Sequence, residues 1–297
     1  MCGIVGLFLK DTALEPKLGT MLGDMLVTMT DRGPDSAGLA IYGADAGAPF
    51  KVSLQSSQPD EDFDRLAAAL KDQGLSATVE PKDTHAIFSF DRECLADVRA
   101  VIDEGFPTVN VMSRGETIEI FKEVGLPRDV LARFSVAKMA GTHGVGHTRM
   151  ATESAVTTEG AHPFSTGPDQ CLVHNGSLSN HNNLRRVMRH EGITFETEND
   201  TEVAAAYLTW KMNAGANLGE ALESGLEDLD GFYTFVVGTK NGFGVLRDPI
   251  ACKPAVLAET YQYVAFGSEY RALAPLPGIE GARVWEPEPA TVYFWER

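Results

Sequence analysis

Apolar positions near the start of the chain change period once. Ile4-Val5-Gly6-Leu7-Phe8-Leu9 is a short continuous run, as in a strand buried on both faces. Leu14, Leu18, Met21, Leu22, Met25 and Met29 then recur at helical spacing and predict an amphipathic helix over about residues 13–30, its methionines marking a packed core face. Residues 38–43 read as a short strand. Farther along, Ser179 is placed to cap a helix carrying Leu184, Val187 and Met188. A second helix begins near Asp200 with Val203, Tyr207 and Leu208 inward, and a third runs through Leu218, Leu222 and Leu226. Strands are predicted at 232–237, 244–247, 255–258, 263–266 and 291–295, the first two joined through Asn241-Gly242. Helices grouped apart from antiparallel strands predict an α+β fold layered α/β/β/α.

Residues 43–140 carry a different rhythm. Strands are predicted at 52–55, 77–80, 86–90 and 108–112, with helices marked by Phe63, Leu66, Ala67 and Leu70 and by Leu95, Val98 and Ile102. That βαββαβ order resembles a ferredoxin-like unit. A strand at 117–121 and a helix through Val130 and Phe134 lead back to the main sheet. No segment here has catalytic spacing, so an inserted α+β subdomain with a scaffold or docking role is expected.

Composition narrows the partners. At 297 residues and 43% hydrophobic, the chain can bury one large core and is read as one domain over 1–297, with the insertion at 43–140. A net charge of −17 disfavours nucleic acid or an anionic membrane, since binding phosphates needs a basic face. No apolar run approaches the ~18 residues of a membrane span, and the apolar start lacks a basic leader. Cys2, Cys94, Cys171 and Cys252 lie 77 to 92 residues apart, which suits a reducing cytoplasm and encodes no zinc or iron–sulfur site. His143 and His147 have metal-binding spacing for a helix, but Gly141, Gly144 and Gly146 surround them and break one, so no metal is expected.

Candidate chemistry starts at Cys2. Taken alone it is a small residue before a buried strand. Removal of Met1 would instead leave a thiol and a free α-amino group on one carbon. An α-amino group of pKa about 7.7 to 8.0 is a base poised near neutrality beside a strong nucleophile. Four further segments follow in order: Arg32-Gly33-Pro34-Asp35-Ser36-Ala37-Gly38, Gly146-His147-Thr148-Arg149-Met150-Ala151-Thr152, Val173-His174-Asn175-Gly176 and Asn199-Asp200-Thr201-Glu202. With Met1-Cys2-Gly3-Ile4-Val5-Gly6, this set resembles the class II glutamine amidotransferases of the N-terminal-nucleophile hydrolase superfamily, over residues 2–42 and 141 to about 270.

The resemblance implies roles. Cys2 would attack the glutamine side-chain amide, with Asn175 and the Gly176 N–H as oxyanion hole. Arg149 would grip the substrate α-carboxylate, Asp200 the α-ammonium, and Thr152 and His162 would line the pocket. Arg32 and Asp35 would support the nucleophile, although an Arg32–Asp35 pair ordering the Gly33-Pro34 turn explains the same residues. Asp200 also stands where a helix cap belongs, and His174 is read as structural. Met150 and Glu153 depart from the family pattern, where an aromatic residue and a histidine or small residue are common.

Only about 27 residues follow the matching region, too few for a synthase. Together with Arg247-Asp248-Pro249 through Lys253-Pro254, this makes the chain resemble the stand-alone amidotransferase subunit of glutamate-synthase-like complexes, including N-methylglutamate synthase. The resemblance implies L-glutamine as substrate, separate synthase subunits as partners, no cofactor on this chain, and FMN and an iron–sulfur cluster on partners. Two other readings stay open: a silent structural or regulatory subunit that keeps Met1, and a hydrolase of another amide.

Overall fold

The structure, a computed structural model, describes residues 2–43, 47, 49–151 and 155–297. In chain order its first half contains β1 (Gly3–Leu9), α1 (Leu18–Val27), β2 (Ser36–Tyr42), β3 (Phe50–Ser56), α2 (Pro59–Asp72), β4 (Ala77–Lys82), β5 (His85–Phe90), α3 (Leu95–Gly105), β6 (Val109–Gly115), β7 (Ile118–Val124) and α4 (Pro127–Arg133). The second half adds β8 (His143–Arg149), β9 (Cys171–Leu178), α5 (His181–His190), α6 (Asp200–Asn213), α7 (Leu218–Asp228), β10 (Gly231–Gly238), β11 (Gly242–Arg247), β12 (Val256–Glu259), β13 (Tyr263–Gly267), β14 (Arg283–Trp285) and β15 (Thr291–Glu296).

Among the described residues the strands form three sheets. A seven-stranded sheet runs β14-β12-β13-β1-β8-β2-β7, a four-stranded sheet β15-β11-β10-β9, and a second four-stranded sheet β4-β5-β3-β6. Strand β1 shows why its apolar run has no gaps. Val5, Leu7 and Leu9 enter a core with α1 and Val130 of α4, whereas Ile4 and Phe8 enter a second core with Val173, Val236, Phe243 and Val245 of the facing sheet. Successive strand side chains point to opposite faces, so two buried faces demand apolar residues at every position. The facing sheet buries its other side, through Leu172, Phe235 and Leu246, against Met188 of α5, Val203 and Tyr207 of α6 and Leu222 of α7. Each fully buried side chain of this size contributes about 1.5–3 kcal/mol.

The segment expected as an insertion has its own antiparallel sheet and apolar cluster, in which Phe50, Leu54 and Phe88 meet Phe63, Leu66 and Leu70 of α2 and Val98 and Ile102 of α3. Ser53 ties it to β7: its Oγ accepts from Ser113 Oγ at 2.9 Å and from the Ile120 N–H at 3.2 Å. Strand β7 returns the chain to the main sheet by pairing with β2.

Two expectations are corrected. The helix over 13–30 is split: Pro16, which lacks an N–H, sits in a 3₁₀ turn over Thr12–Lys17, and the α-helix proper is α1. Asn180, not Ser179, occupies the N-cap of α5, and its side chain instead joins Asp228 O at 2.9 Å and the Asp230 N–H at 3.1 Å. Residues 143–149 and 171–178 form β8, inside the seven-stranded sheet, and β9, at the end of the four-stranded sheet it shares with β10.

Candidate active site

Strand register brings the candidate residues to one end of the two stacked sheets. Gly3 pairs with Thr148 and Ser36 with Arg149, so Cys2, Asp35 and Arg149 leave neighbouring strands together. Facing them, Asn175 and Gly176 lie within β9, opposite Thr234 and Tyr233. The Cys2 carbonyl is the meeting point: Arg32 Nε donates to it at 2.9 Å and Asn175 Nδ2 at 3.3 Å. An amide nitrogen has two hydrogens, so Asn175 keeps one for another acceptor beside Cys2.

Gly176 needs its lack of side chain. Its φ is +151°, and a Cβ there would lie 2.0 Å from the Phe232 carbonyl oxygen. Only glycine meets both conditions without displacing β10.

Asp200 turns toward β9 at the start of α6. Asn199 Oδ1 accepts from the Thr201 N–H at 2.8 Å and is the true cap, leaving Asp200 Oδ2 to accept from the Leu178 N–H at 2.9 Å. Burial would raise the Asp200 pKa, but the adjacent His174 ring, 3.7 Å from Oδ1, with the Leu178 N–H and His181, outweighs it and holds the carboxyl at about 2. It is a carboxylate at neutral pH.

Arg149 is buried, and its Nη1 donates to Ala155 O at 3.4 Å. Asp35 closes the turn beside it: its N–H donates to Arg149 O at 3.1 Å and its Oδ2 accepts from the Ala151 N–H at 2.8 Å. The Arg32–Asp35 pair is therefore corrected, because Arg32 pairs with Glu269 instead. Thr152 and Glu153, like Met1, lie outside the described residues.

His162 is buried instead of lining open space. Its Nε2 lies 2.8 Å from Thr201 Oγ1 and its ring stacks on His147 at 4.1 Å. Burial pushes the pKa of His162 well down and that of His147 to about 3, so both rings are neutral. His143 is occupied elsewhere, stacked on Tyr42 at 4.1 Å with Nε2 2.8 Å from Thr239 O. Among the described residues no group of three or more His, Cys, Asp or Glu is arranged to hold a metal ion.

The structure adds residues that the motifs did not single out. Glu269 holds Arg32 and also accepts from Arg271 Nε at 2.8 Å, while Ser268 Oγ accepts from the Ile4 N–H at 2.9 Å. The available signal was an acidic residue two positions past the end of β13, the strand beside β1. Lys122 is buried and donates to Glu159 O at 3.1 Å, Ala161 O at 2.8 Å and Pro163 O at 3.4 Å. It thereby pins the turn that carries His162. A cleft of about 840 Å³ opens between α3, β6 and α6, yet Cys2, Arg149, Asn175 and Asp200 do not line it. Volume and candidate chemistry therefore lie apart, and the chemistry is the better guide because it rests on converging donors.

Two stacked antiparallel sheets carry these groups at one end. A model of the glutamine amidotransferase domain matches residues 147–275. Glutamine amidotransferase-like protein GlxB of Rhizobium meliloti (strain 1021) is 68% identical over 296 residues, covering 100% of this chain and 98% of that protein. The chain therefore belongs to the glutamine amidotransferase-like family. Glutamine–fructose-6-phosphate aminotransferase of Vibrio vulnificus (strain YJ016) is 32% identical over 133 residues, 45% of this chain and 22% of that one. The solved glutamine phosphoribosylpyrophosphate amidotransferase of B. subtilis shares the fold with a TM-score of 0.63 at 19% identity, covering 99% of this chain and 47% of that one.

Proposed function

We propose that this chain hydrolyses L-glutamine to glutamate and ammonia through a thioester on Cys2, formed once Met1 has been removed. The observation that carries the reading is the convergence of Asn175 Nδ2 and Arg32 Nε on the Cys2 carbonyl, with Arg149 and Asp200 at the same end of the sheets. In the proposed sequence the freed α-amino group takes the thiol proton as sulfur attacks the amide carbon. Asn175 Nδ2 and the Gly176 N–H meet the developing oxyanion. The proton passes to the departing nitrogen, ammonia leaves, and water then releases glutamate from the thioester.

Arg149 suits the α-carboxylate because a guanidinium fork offers two parallel donors. Asp200 suits the α-ammonium because it stays ionised. We read the fold as the α/β/β/α N-terminal-nucleophile hydrolase sandwich with an inserted ferredoxin-like unit, and the ammonia acceptor as a separate synthase subunit of a glutamate-synthase-like complex such as N-methylglutamate synthase. FMN and an iron–sulfur cluster are assigned to those partners and the complex to the cytoplasm. Among the described residues no helix is long and apolar enough to cross a membrane.

A glutaminase assay tests the core of this reading. Wild type should release glutamate and ammonia from glutamine, Cys2→Ala should not, and simple amides lacking the α-amino and α-carboxyl groups should be poor substrates. Equal turnover of simple amides would overturn the assignment of substrate.

A further inference from the structure

Behind Asp200 lies a buried polar junction centred on Thr201. Thr201 is 1% exposed, and its Oγ1 lies 2.8 Å from His162 Nε2, 3.0 Å from His174 Nδ1 and 3.5 Å from Asp200 Oδ1. The three buried rings brace one another. His147 stacks on His162, and its Nε2 donates to the His174 carbonyl oxygen at 3.1 Å, which fixes the His147 tautomer. The backbone of Thr201 is held separately, by its N–H on Asn199 Oδ1. The hydroxyl is thus free to act on the two rings and on Asp200.

A hydroxyl has one hydrogen to donate and lone pairs to accept with. If His174 Nδ1–H donates to Thr201 Oγ1, the threonine hydrogen goes to His162 Nε2. If both rings donate, the hydrogen goes to Asp200 Oδ1. In either arrangement Thr201 keeps His174 Nδ1 from closing fully onto Asp200, from which it stands 3.7 Å away. We propose that Thr201 is a positioning residue for substrate recognition: its hydroxyl sets the orientation of His174 and so leaves the Asp200 carboxylate turned toward the ammonium of an amino-acid substrate.

This rests on the glutaminase reading above. Without the hydroxyl, His174 Nδ1 has Asp200 as its remaining nearby acceptor and draws the carboxylate inward. The site then loses its grip on an α-ammonium while the Cys2 thiol, on the opposite sheet, is untouched.

The test compares Thr201→Val and Thr201→Ser on the full chain, with two readouts. One is the split between KM and kcat for glutamine. The other is the rate of Cys2 alkylation by iodoacetamide, which needs no amino-acid grip, against that by a diazoketone analogue of glutamine bearing both α-groups. Thr201→Val should raise the glutamine KM about tenfold or more with kcat changed far less, and slow the diazoketone but not iodoacetamide. Thr201→Ser should restore KM to within about threefold, since it keeps the hydroxyl. In an Asp200→Asn background Thr201→Val should add nothing further.

Equal slowing of both reagents, a serine variant as poor as valine, an unchanged KM, or full additivity with Asp200→Asn would each overturn the proposal. If Thr201→Val does not fold, Thr201→Ala read by the same two reagents decides. A wild type inert to glutamine defeats the glutaminase reading and this one with it, whereas an active wild type with the outcomes just named defeats the role of Thr201 alone.

Discussion

The 50–115 segment, expected as an insertion, and the end of the stacked sheets that carries the proposed active site solve opposite problems. In the insertion, Phe50, Leu54, Phe63, Leu66, Phe88 and Ile102 make an apolar cluster, and β4 alternates between half-buried and exposed positions. At the proposed active-site end the buried residues include Arg32, His147, Arg149, His162, His174, Asn175 and Thr201. Each of those polar groups sits at a desolvation cost that only hydrogen bonds offset. Stability is therefore cheapest to obtain where there is no chemistry, and the site depends on neighbouring layers to hold it.

Four perturbations should separate the regions, beginning with the largest effect. Asn175→Ala, which removes one proposed oxyanion donor, should lower kcat for glutamine by about 10²–10³ with little change in the unfolding midpoint, as steady-state kinetics beside thermal melts would report. A change confined to KM would contradict that role. Leu66→Ala, in the insertion core, should do the reverse. It should cost about 2–5 kcal/mol in urea unfolding and leave the glutamine KM alone. If KM moved with it, the regions would be coupled more tightly than their separate cores suggest.

Lys122 stands on the seam between the regions, on β7. Lys122→Met strips the donor from three carbonyls of the 159–163 turn and should cost about 1–3 kcal/mol. Because Gly160 of that turn stands against Arg149, where an added Cβ would lie 3.2 Å from Nη1, glutamine KM should rise as well. Finally, acid should weaken both regions. Burial first, then nearby cations, holds His85 of the insertion at about 3, and burial also holds His143 and His147 at about 3 and His162 well down. Their folded pKa values lie below the unfolded value of 6.5, so this stability is present above pH 6.5 and is lost as pH falls below it. Each ring should contribute a slope of about 1.4 kcal/mol per pH unit. Urea midpoints measured from pH 7 to 5 would check it, and a flat profile would show that these rings protonate in place.

The two regions also differ in what could be read from sequence. Over residues 50–115 the helices are legible from periodicity, because one face of each meets the cluster and the other meets solvent: Phe63, Leu66 and Leu70 mark α2, Leu95, Val98 and Ile102 mark α3. Strands β8 and β9 escaped it. β8 lies inside the seven-stranded sheet and β9 at the end of its own, and His143-Gly144-Val145-Gly146-His147-Thr148-Arg149 mixes glycine and polar residues without alternation. There the short motifs were legible and the element was not. Cys2, Arg149, Asn175, Gly176 and Asp200 were nameable because their order in the chain is distinctive, whereas Glu269, Lys122 and the ring contacts of Thr201 depend on strand register and turn packing. His162 and the Arg32–Asp35 pair show the converse, since sequence named the residues but not their partners.

The central claim concerns the state of the Cys2 nitrogen during turnover. Intact-protein and peptide mass spectrometry on enzyme quenched within milliseconds of mixing with glutamine tests it directly. The expected result is a chain that begins at Cys2 and carries a glutamyl group on that residue, lost on standing. Active molecules that retain Met1, or turnover with no acyl group on Cys2 at any quench time, would contradict it.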